Sequence, residues 1–368
     1  MYTGAPTSLS LPTAMSTAPP SSTSTTIVPP QHKIVPGFVD LQVNGYKGCD
    51  FSDPTLTLDS FLNTSVQILR DGACVAFVPT LITSPLATYE HNLPIIADAI
   101  DTWTNPGILG IHLEGPFISK ELGAVGCHPP EHTRLPSVEL LQQWQELARG
   151  KIVLITIAAE LKGSAKLCRW ATNNGIAVSL GHQLASAQDV TNLVDCGATL
   201  CTHLGNGMPN MIHRHQNPIW TSLAEDRLTV MLITDGEHLP PDAVVSMVRA
   251  KGVDGVVVTS DAAPVAGLPD GSYQWGTTPV RVCQGGVRHG TLECLAGSGS
   301  LMLQCMNMLA GLRTSKHGWL LTSDELVQVG CYNPLSVLPG VSHAIKEWVK
   351  ENSTVQFDEE QRLFLVRQ

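Results

Sequence analysis

Three residues of this chain have the types and the setting to hold one divalent ion. Glu114 in HLEGPF, His182 in SLGHQ and His203 in CTHLGN each close a short apolar run, and together they offer one carboxylate and two imidazoles. A catalytic zinc takes such a set, with three protein ligands and a fourth position left to water. It lowers the pKa of that water to about 7, which supplies hydroxide at neutral pH. A single histidine in such a place is more often a satisfied polar residue than a ligand. Three suitable ligand types at three run ends, one of them a glutamate in an apolar setting, weigh the other way. Asp261 in TSDAAP ends a further apolar run. A carboxylate there could take a proton from an attacking water and deliver it to a departing amine. The plainer alternative is a turn or cap aspartate, since Ala-Ala-Pro follows. His128 in GAVGCHPPEH sits on a loop stiffened by prolines. It could donate to a carbonyl oxygen as charge develops there, or be a loop histidine without a role.

Residues suited to holding a substrate lie nearby in the same runs. His238 in TDGEHLPP, Asn206 and Gly207 in HLGNGMP, and Ala296, Gly297 and Ser298 in LAGSGS can bind hydroxyls or an anion. The AGSGS segment could present backbone N–H groups at the start of a helix, although glycines before a helix more often make only a turn.

Those groups need a scaffold that brings distant run ends together. Eight apolar runs are expected as strands, at 34–43, 73–81, 107–115, 152–160, 175–182, 198–206, 228–236 and 255–262, alternating with amphipathic stretches at 58–71, 137–149, 164–174, 186–196 and 241–251. This alternation is the mark of repeated βα units, and several of the helices open on Ser as a cap. Nearly every run ends in chemistry: Gln42 and Asn44 after the first, Glu114 after the third, His182, His203, Asp235 with His238, and Asp261 after the fifth to eighth. In an open doubly wound sheet these ends would be strung along an edge, about 4.8 Å per strand. In a closed (β/α)8 barrel they meet at one mouth. The fold expected is therefore α/β, a (β/α)8 TIM barrel spanning 31–345 with a hairpin insertion at about 270–295. Residues 1–30, Ser/Thr/Pro-rich and without Lys, Arg, Asp or Glu, are expected as a poorly ordered low-complexity leader. Residues 346–368 are expected as a tail of short strands.

Composition narrows the partners. Of the 368 residues 43% are apolar and 15% charged, which suits a parallel sheet buried on both faces. The net charge of -10 comes without basic runs, so nucleic acid is not expected and a small ligand is. Ten cysteines from Cys49 to Cys331 include no CxxC pair; they are expected as reduced thiols in a cytoplasmic protein. No run reaches the roughly 20 apolar residues of a membrane span, so no membrane partner is expected.

The ordered set PGFVDLQVNG (36–45), PTLITS (79–84), HLEGPF (112–117), GHQ (181–183), THLGNGMP (202–209), TDGEHL (234–239), SDAAPVAG (260–267) and LAGS (295–298) resembles the N-acetylglucosamine-6-phosphate deacetylases of the amidohydrolase superfamily, over roughly 34–340. The resemblance implies Glu114, His182 and His203 as metal ligands and Asp261 as acid and base. It implies His128 assisting the carbonyl, and Asn206, Gly207, His238 and the segment around Leu295, Ala296 and Gly297 at a sugar phosphate. Gln42 and Asn44 stand where many amidohydrolases carry an HxH pair for a second metal. Amides are poor ligands beside imidazole, so one ion is expected, zinc first, with iron(II) or cobalt(II) also accepting this set; Gln42 is then expected at the substrate. The chain departs from the family at MIHRHQNPIW (211–220), where an Arg followed by an acidic or amide residue, Pro and Gly would reach the phosphate of a neighbouring subunit's substrate. Here Arg214 is displaced and Gln216 fills that slot, so His215 and Gln216 are expected at the substrate. The accessory β-domain is expected to be reduced or absent, and a homodimer is the assembly the family suggests. Three other activities fit parts of the pattern: deacetylation of a different or unphosphorylated N-acyl hexosamine, a cyclic-amide hydrolase, which would want a bridging lysine at the fourth strand where only Lys151 and Lys162 flank it, and a sugar-phosphate sensor without turnover.

Overall fold

Each apolar run contains a strand buried along almost its whole length. Phe38–Val43, Cys74–Ile82, Ile111–Glu114, Ile152–Ile157, Ala177–Leu180, Leu200–Cys201, Thr229–Leu232 and Val256–Val258 pair side by side in chain order, every pair parallel. This computed structural model describes residues 32–366 apart from 317, 353 and 354; the leader expected over 1–30 lies outside the described residues. The first and eighth strands close the ring. Val43 bridges Ala262 in parallel, and the Asn44 N–H donates to the Ala262 carbonyl at 2.9 Å. The fold is a TIM barrel, not an open sheet.

The closure is reinforced by a charged residue in the middle of an apolar strand. Asp40 is fully buried. Its Oδ1 accepts from Thr259 Oγ1 at 2.7 Å and Ser260 N at 3.0 Å, and its Oδ2 from Ser260 Oγ. Burial pushes the Asp40 carboxyl above its ordinary 3.8, with the Ser260 and Thr259 hydrogen bonds pulling it back. The native state therefore holds this proton to higher pH than the unfolded chain does. The stability the group contributes is full below 3.8 and declines as the pH rises toward the native value. An Asp40→Asn variant lacks this dependence, because an amide can still accept at Oδ1 and donate to Ser260 Oγ. Its stability relative to wild type, read from urea unfolding between pH 4 and 8, is expected to increase with pH; a difference that stays constant over this range would contradict the account.

Helices Leu58–Asp71, Val138–Leu147, Ser164–Asn173, Ala187–Val194 and Pro241–Lys251 lie where they were expected. Thr57, Ser137 and Ser186 cap three of them through side-chain oxygens on backbone N–H groups. Helix Leu86–Thr102 was not among the expected helices: Pro94 sits in its interior, where sequence rules place a break. Apart from the second, Cys74–Ile82, the strands are shorter than the apolar runs. The run 34–43 divides at Pro36-Gly37, since proline has no N–H to carry a ladder onward. Its first part, His32–Val35, leaves the barrel to pair antiparallel with Val355–Asp358, which pairs with Leu363–Val366 in a separate three-stranded sheet. Between the eighth strand and helix Met302–Ala310, residues Gly271–Trp275, Thr278–Cys283 and Gly286–His289 form a three-stranded antiparallel sheet. It has one strand more than the expected hairpin, because the chain turns twice, at Gly276-Thr277 and at Gln284-Gly285. All ten cysteines are free thiols, and among the described residues no helix is long and apolar enough to cross a membrane.

Candidate active site and metal centre

The strand ends carry their polar residues on unusual backbone. Glu114 is the last residue of the third strand, while His182, His203 and Asp261 lie just beyond the fifth, sixth and eighth. All three of the latter have left-handed conformations, with φ of 50°, 29° and 51°. Such values are uncommon outside glycine and gather at functional sites, where the surrounding structure holds them. Here they turn three side chains inward over one mouth. Gly207 makes room for two of them: a Cβ there would come within 3.0 Å of His182 Nδ1 and 3.1 Å of His203 Cε1, and its φ is 62°.

Glu114 Oε1 lies 2.9 Å from His203 Nε2 and 3.2 Å from His182 Nε2, and the two Nε2 atoms are 3.1 Å apart. His182 Nδ1 is 2.8 Å from the Ala124 carbonyl. That contact requires the proton on Nδ1, so a neutral His182 turns the lone pair of Nε2 toward the other two atoms. With the His203 proton on Nδ1 as well, three electron-rich atoms face one another and suit a cation between them. Their separations are close to the roughly 3.3 Å edge of a tetrahedron with metal–ligand bonds of about 2.0–2.1 Å. The set therefore fits a divalent metal ion. Burial alone would raise Glu114, but the imidazoles of His128, His182 and His203 around it hold its carboxyl well below the usual range, leaving it in the ionised form that metal binding requires.

A second triangle overlaps the first. Glu114, His128 and His182 also place a ligand atom each within 4.8 Å of one another, but the chemistry of His128 favours a donor. Its Nδ1 accepts from the Thr83 N–H at 3.3 Å and lies 3.0 Å from Thr83 Oγ1. The proton of a neutral ring is then on Nε2, which points at Glu114 Oε2 from 3.6 Å. Burial, with His182 beside it, lowers the pKa of His128 to about 4, so the ring is neutral and offers one N–H into the site.

Asp261 Oδ1 accepts from Gln42 Nε2 at 2.9 Å and Asn44 Nδ2 at 2.8 Å, and the same Gln42 nitrogen donates to Glu114 Oε1 at 2.8 Å. One amide thus links the two carboxylates and keeps Asp261 beside Glu114 and the two histidines. Burial, then the charge of Glu114, push the Asp261 carboxyl up to about 6, with His203, His238 and Asn44 opposing. A carboxyl of that proton affinity is suited to exchange protons near neutral pH.

Glu114, His128, His182, His203 and Asp261 floor a cavity of about 350 Å³. No family model matches the chain. It is 36% identical over 257 residues to the N-acetylglucosamine-6-phosphate deacetylase of Bos taurus, covering 68% of this chain and 62% of that one. It is 31% identical over 320 residues to the enzyme of the same name from Danio rerio, covering 84% of this chain and 76% of that one. The chain belongs to the N-acetylglucosamine-6-phosphate deacetylase family. The crystal structure of the Thermotoga maritima N-acetylglucosamine-6-phosphate deacetylase matches 90% of this chain and 86% of its own, with a TM-score of 0.75 at 26% identity. The match to the bovine relative spans just under two thirds of that protein's length.

Within this deacetylase-family barrel, the residues expected at the substrate divide into two groups. Asn206, Gly207, His238, Leu295 and Gly297 line the cavity, together with Glu114, His128, His182, His203 and Asp261. Gln42 and Ala296 are fully buried and do not line it. Gln42 is engaged by the two carboxylates rather than free for a sugar, because a strand-interior amide is level with Glu114 and below the mouth. His215 and Gln216 are exposed on a segment outside the cavity lining, so within one chain they do not reach the ligand set. Sequence reasoning put Asp235 with His238 at a strand end without giving it a part, and it missed the parts of Thr83, Asp40, Trp275 and Arg288. Asp235 Oδ2 accepts from Ser298 Oγ at 2.7 Å and lies 2.8 Å from His238 Nδ1, which fixes the His238 ring. Thr83 fixes the tautomer of His128. Asp40 gave the one available signal, a carboxylate inside an apolar run. Trp275 and Arg288 reach the cavity from the inserted sheet, and nothing in their local sequence marks them.

Proposed function

We propose that this chain hydrolyses the acetamide of N-acetylglucosamine 6-phosphate to glucosamine 6-phosphate and acetate, using one divalent ion, zinc first, held by Glu114, His182 and His203. The observation that carries this reading is the tether of Asp261 to the ligand set through Gln42. It puts a carboxyl that exchanges protons near neutral pH beside the place where a water would be activated. A bound ion supplies Lewis acidity toward that water and the amide carbonyl. Asp261 accepts the proton from the attacking water and passes it to the amine nitrogen as the C–N bond breaks. His128 donates its Nε2–H to the carbonyl oxygen as negative charge develops, with Thr83 holding the ring in the required tautomer. His238, steadied by Asp235, and the backbone around Asn206, Gly207 and Gly297 hold the sugar. Lys151 supports this reading over a carbamylated-lysine site, since it pairs with Asp101 at 2.8 Å beside the start of the fourth strand, the end away from the mouth.

We place the protein in the cytoplasm on its ten free thiols, and take the three-stranded sheet of the terminal segments as its reduced accessory β-domain. Whether a homodimer forms is read from sedimentation. The activity is tested by acetate release from zinc-loaded protein given N-acetylglucosamine 6-phosphate, its galacto epimer and the unphosphorylated sugar. The phosphorylated gluco substrate is expected to react fastest, and no acetate from any of the three would refute the proposal.

A further inference from the structure

The cavity has an unfavourable charge for a phosphorylated ligand. Its lining carries four carboxylates, those of Glu114, Glu237, Asp261 and Glu293, in a chain of net charge -10. On the proposed reaction the acetamide lies on the floor, over Glu114 and Asp261, so the phosphate at the far end of the sugar lies toward the mouth, where Glu237 and Glu293 add negative charge. Among the described residues that line this cavity, Arg288 is the one Lys or Arg. It stands on the last strand of the inserted sheet, where it bridges the backbone of Leu295, itself a lining residue. Its guanidinium reaches Glu237 Oε2 at 3.0 Å. That contact holds the fork at the mouth, while both side chains remain largely open to solvent. Arg214, by contrast, is exposed on a segment outside the lining.

We propose that Arg288 is the residue of this chain that binds the phosphate of the substrate, exchanging Glu237 for it when the ligand enters. The guanidinium fork matches phosphate oxygens in a two-point contact that a carboxylate at the rim only partly satisfies. Exposed ion pairs are weak, so Glu237 releases Arg288 readily to a doubly charged partner. Glu237 is then a competitor: it lowers affinity for the phosphorylated ligand and has no effect on a neutral sugar. The inserted sheet thereby acquires a role in substrate choice, as the element that brings the one Lys or Arg among the described lining residues to the mouth of the cleft. This inference rests on the phosphorylated substrate proposed above.

The experiment uses full-length, zinc-loaded protein and separates the two claims. Calorimetric binding of glucosamine 6-phosphate and of glucosamine is measured for wild type, Arg288→Ala, Arg288→Lys, Glu237→Gln and Arg214→Ala, beside acetate release from the two acetylated sugars. Arg288→Ala is expected to weaken glucosamine 6-phosphate binding by about 10- to 100-fold and to raise KM for the phosphorylated substrate alike, with kcat and glucosamine binding nearly unchanged. Arg288→Lys recovers part of the loss, Glu237→Gln tightens the phosphate-bearing ligand alone, and Arg214→Ala changes neither. Equal losses for both ligands in Arg288→Ala, no loss for either, or a phosphate-selective loss in Arg214→Ala would overturn the assignment. A wild type that binds glucosamine 6-phosphate but releases no acetate would end the deacetylase reading and leave the calorimetry to decide Arg288.

Discussion

Replacing Asp261 with Asn is expected to leave a folded, metal-binding protein whose kcat is lower by roughly 10²- to 10⁴-fold, the range that a positioned acid–base group contributes, at nearly unchanged KM. The hydrogen bonds around the residue explain why the change should be so clean. Oδ1 accepts from both Gln42 Nε2 and Asn44 Nδ2, and the carbonyl oxygen of an asparagine can accept the same two donors. The amide nitrogen then replaces Oδ2, the one oxygen without those contacts, and cannot take a proton. A loss confined to kcat indicates an interaction made in the transition state, not in binding. Steady-state kinetics with metal content measured on the same sample test this, and a variant keeping more than about a tenth of wild-type kcat would remove Asp261 from the chemistry.

The second large effect is expected at Glu114. Gln is close to it in shape, yet either orientation of an amide conflicts with what surrounds the carboxylate. Oε1 faces two imidazole nitrogens and accepts from Gln42 Nε2, while Oε2 faces the N–H of His128. An NH2 group on the Oε1 side would point at the two imidazole nitrogens where the proposed ion would be held and opposes the Gln42 donor; on the Oε2 side it opposes His128. The expected result for Glu114→Gln is a metal affinity lower by more than the 10- to 100-fold that loss of an outer hydrogen-bond partner costs. Zinc content should fall from one per chain to a small fraction after dialysis, and acetate release should fall with it. A variant that retains stoichiometric zinc would show that Glu114 is not a ligand. The same measurement counts the ions. Because the amides of Gln42 and Asn44 are engaged by carboxylates, a wild-type stoichiometry of one is expected.

How much of this was legible in the sequence depended on whether a residue announced itself locally. Glu114, His182, His203 and Asp261 were legible because each is a polar residue terminating an apolar run, and in a parallel barrel such ends must meet. The alternation of runs and amphipathic stretches gave the architecture for the same reason. Strand limits were overestimated, since hydrophobicity continues past the last ladder hydrogen bond: the run at 198–206 contains only the two-residue strand Leu200–Cys201. The left-handed backbone at His182, His203 and Asp261 left no mark, because none of them is a glycine. Gln42 carried a polar signal that was assigned to the wrong partner; its contacts with Glu114 and Asp261 join positions 72 and 219 residues away. Helix Leu86–Thr102 was hidden by Pro94, whose penalty is offset by packing of Leu93, Ile96 and Ala97 in the interior. Arg288 matters through charge, and the shortage of cations around a cleft is visible only once its walls are assembled.

The contact between Asp40 and the Thr259-Ser260 pair joins residues 219 and 220 positions apart. At a ribosomal rate of about 5–20 residues per second, the first strand waits roughly 10 to 45 s after it is made before its partner exists. Throughout that interval the nascent chain carries two unsealed edges of hydrophobic parallel sheet, a state prone to wrong pairing. The proposed ligand residues are translated before the pair that shuts the ring, and Asp261 emerges directly after it. On the proposed chemistry, hydrolytic competence and protection from aggregation are thus acquired in the same late step of biogenesis, and a message cut short before it would yield a sticky fragment, not a weak enzyme.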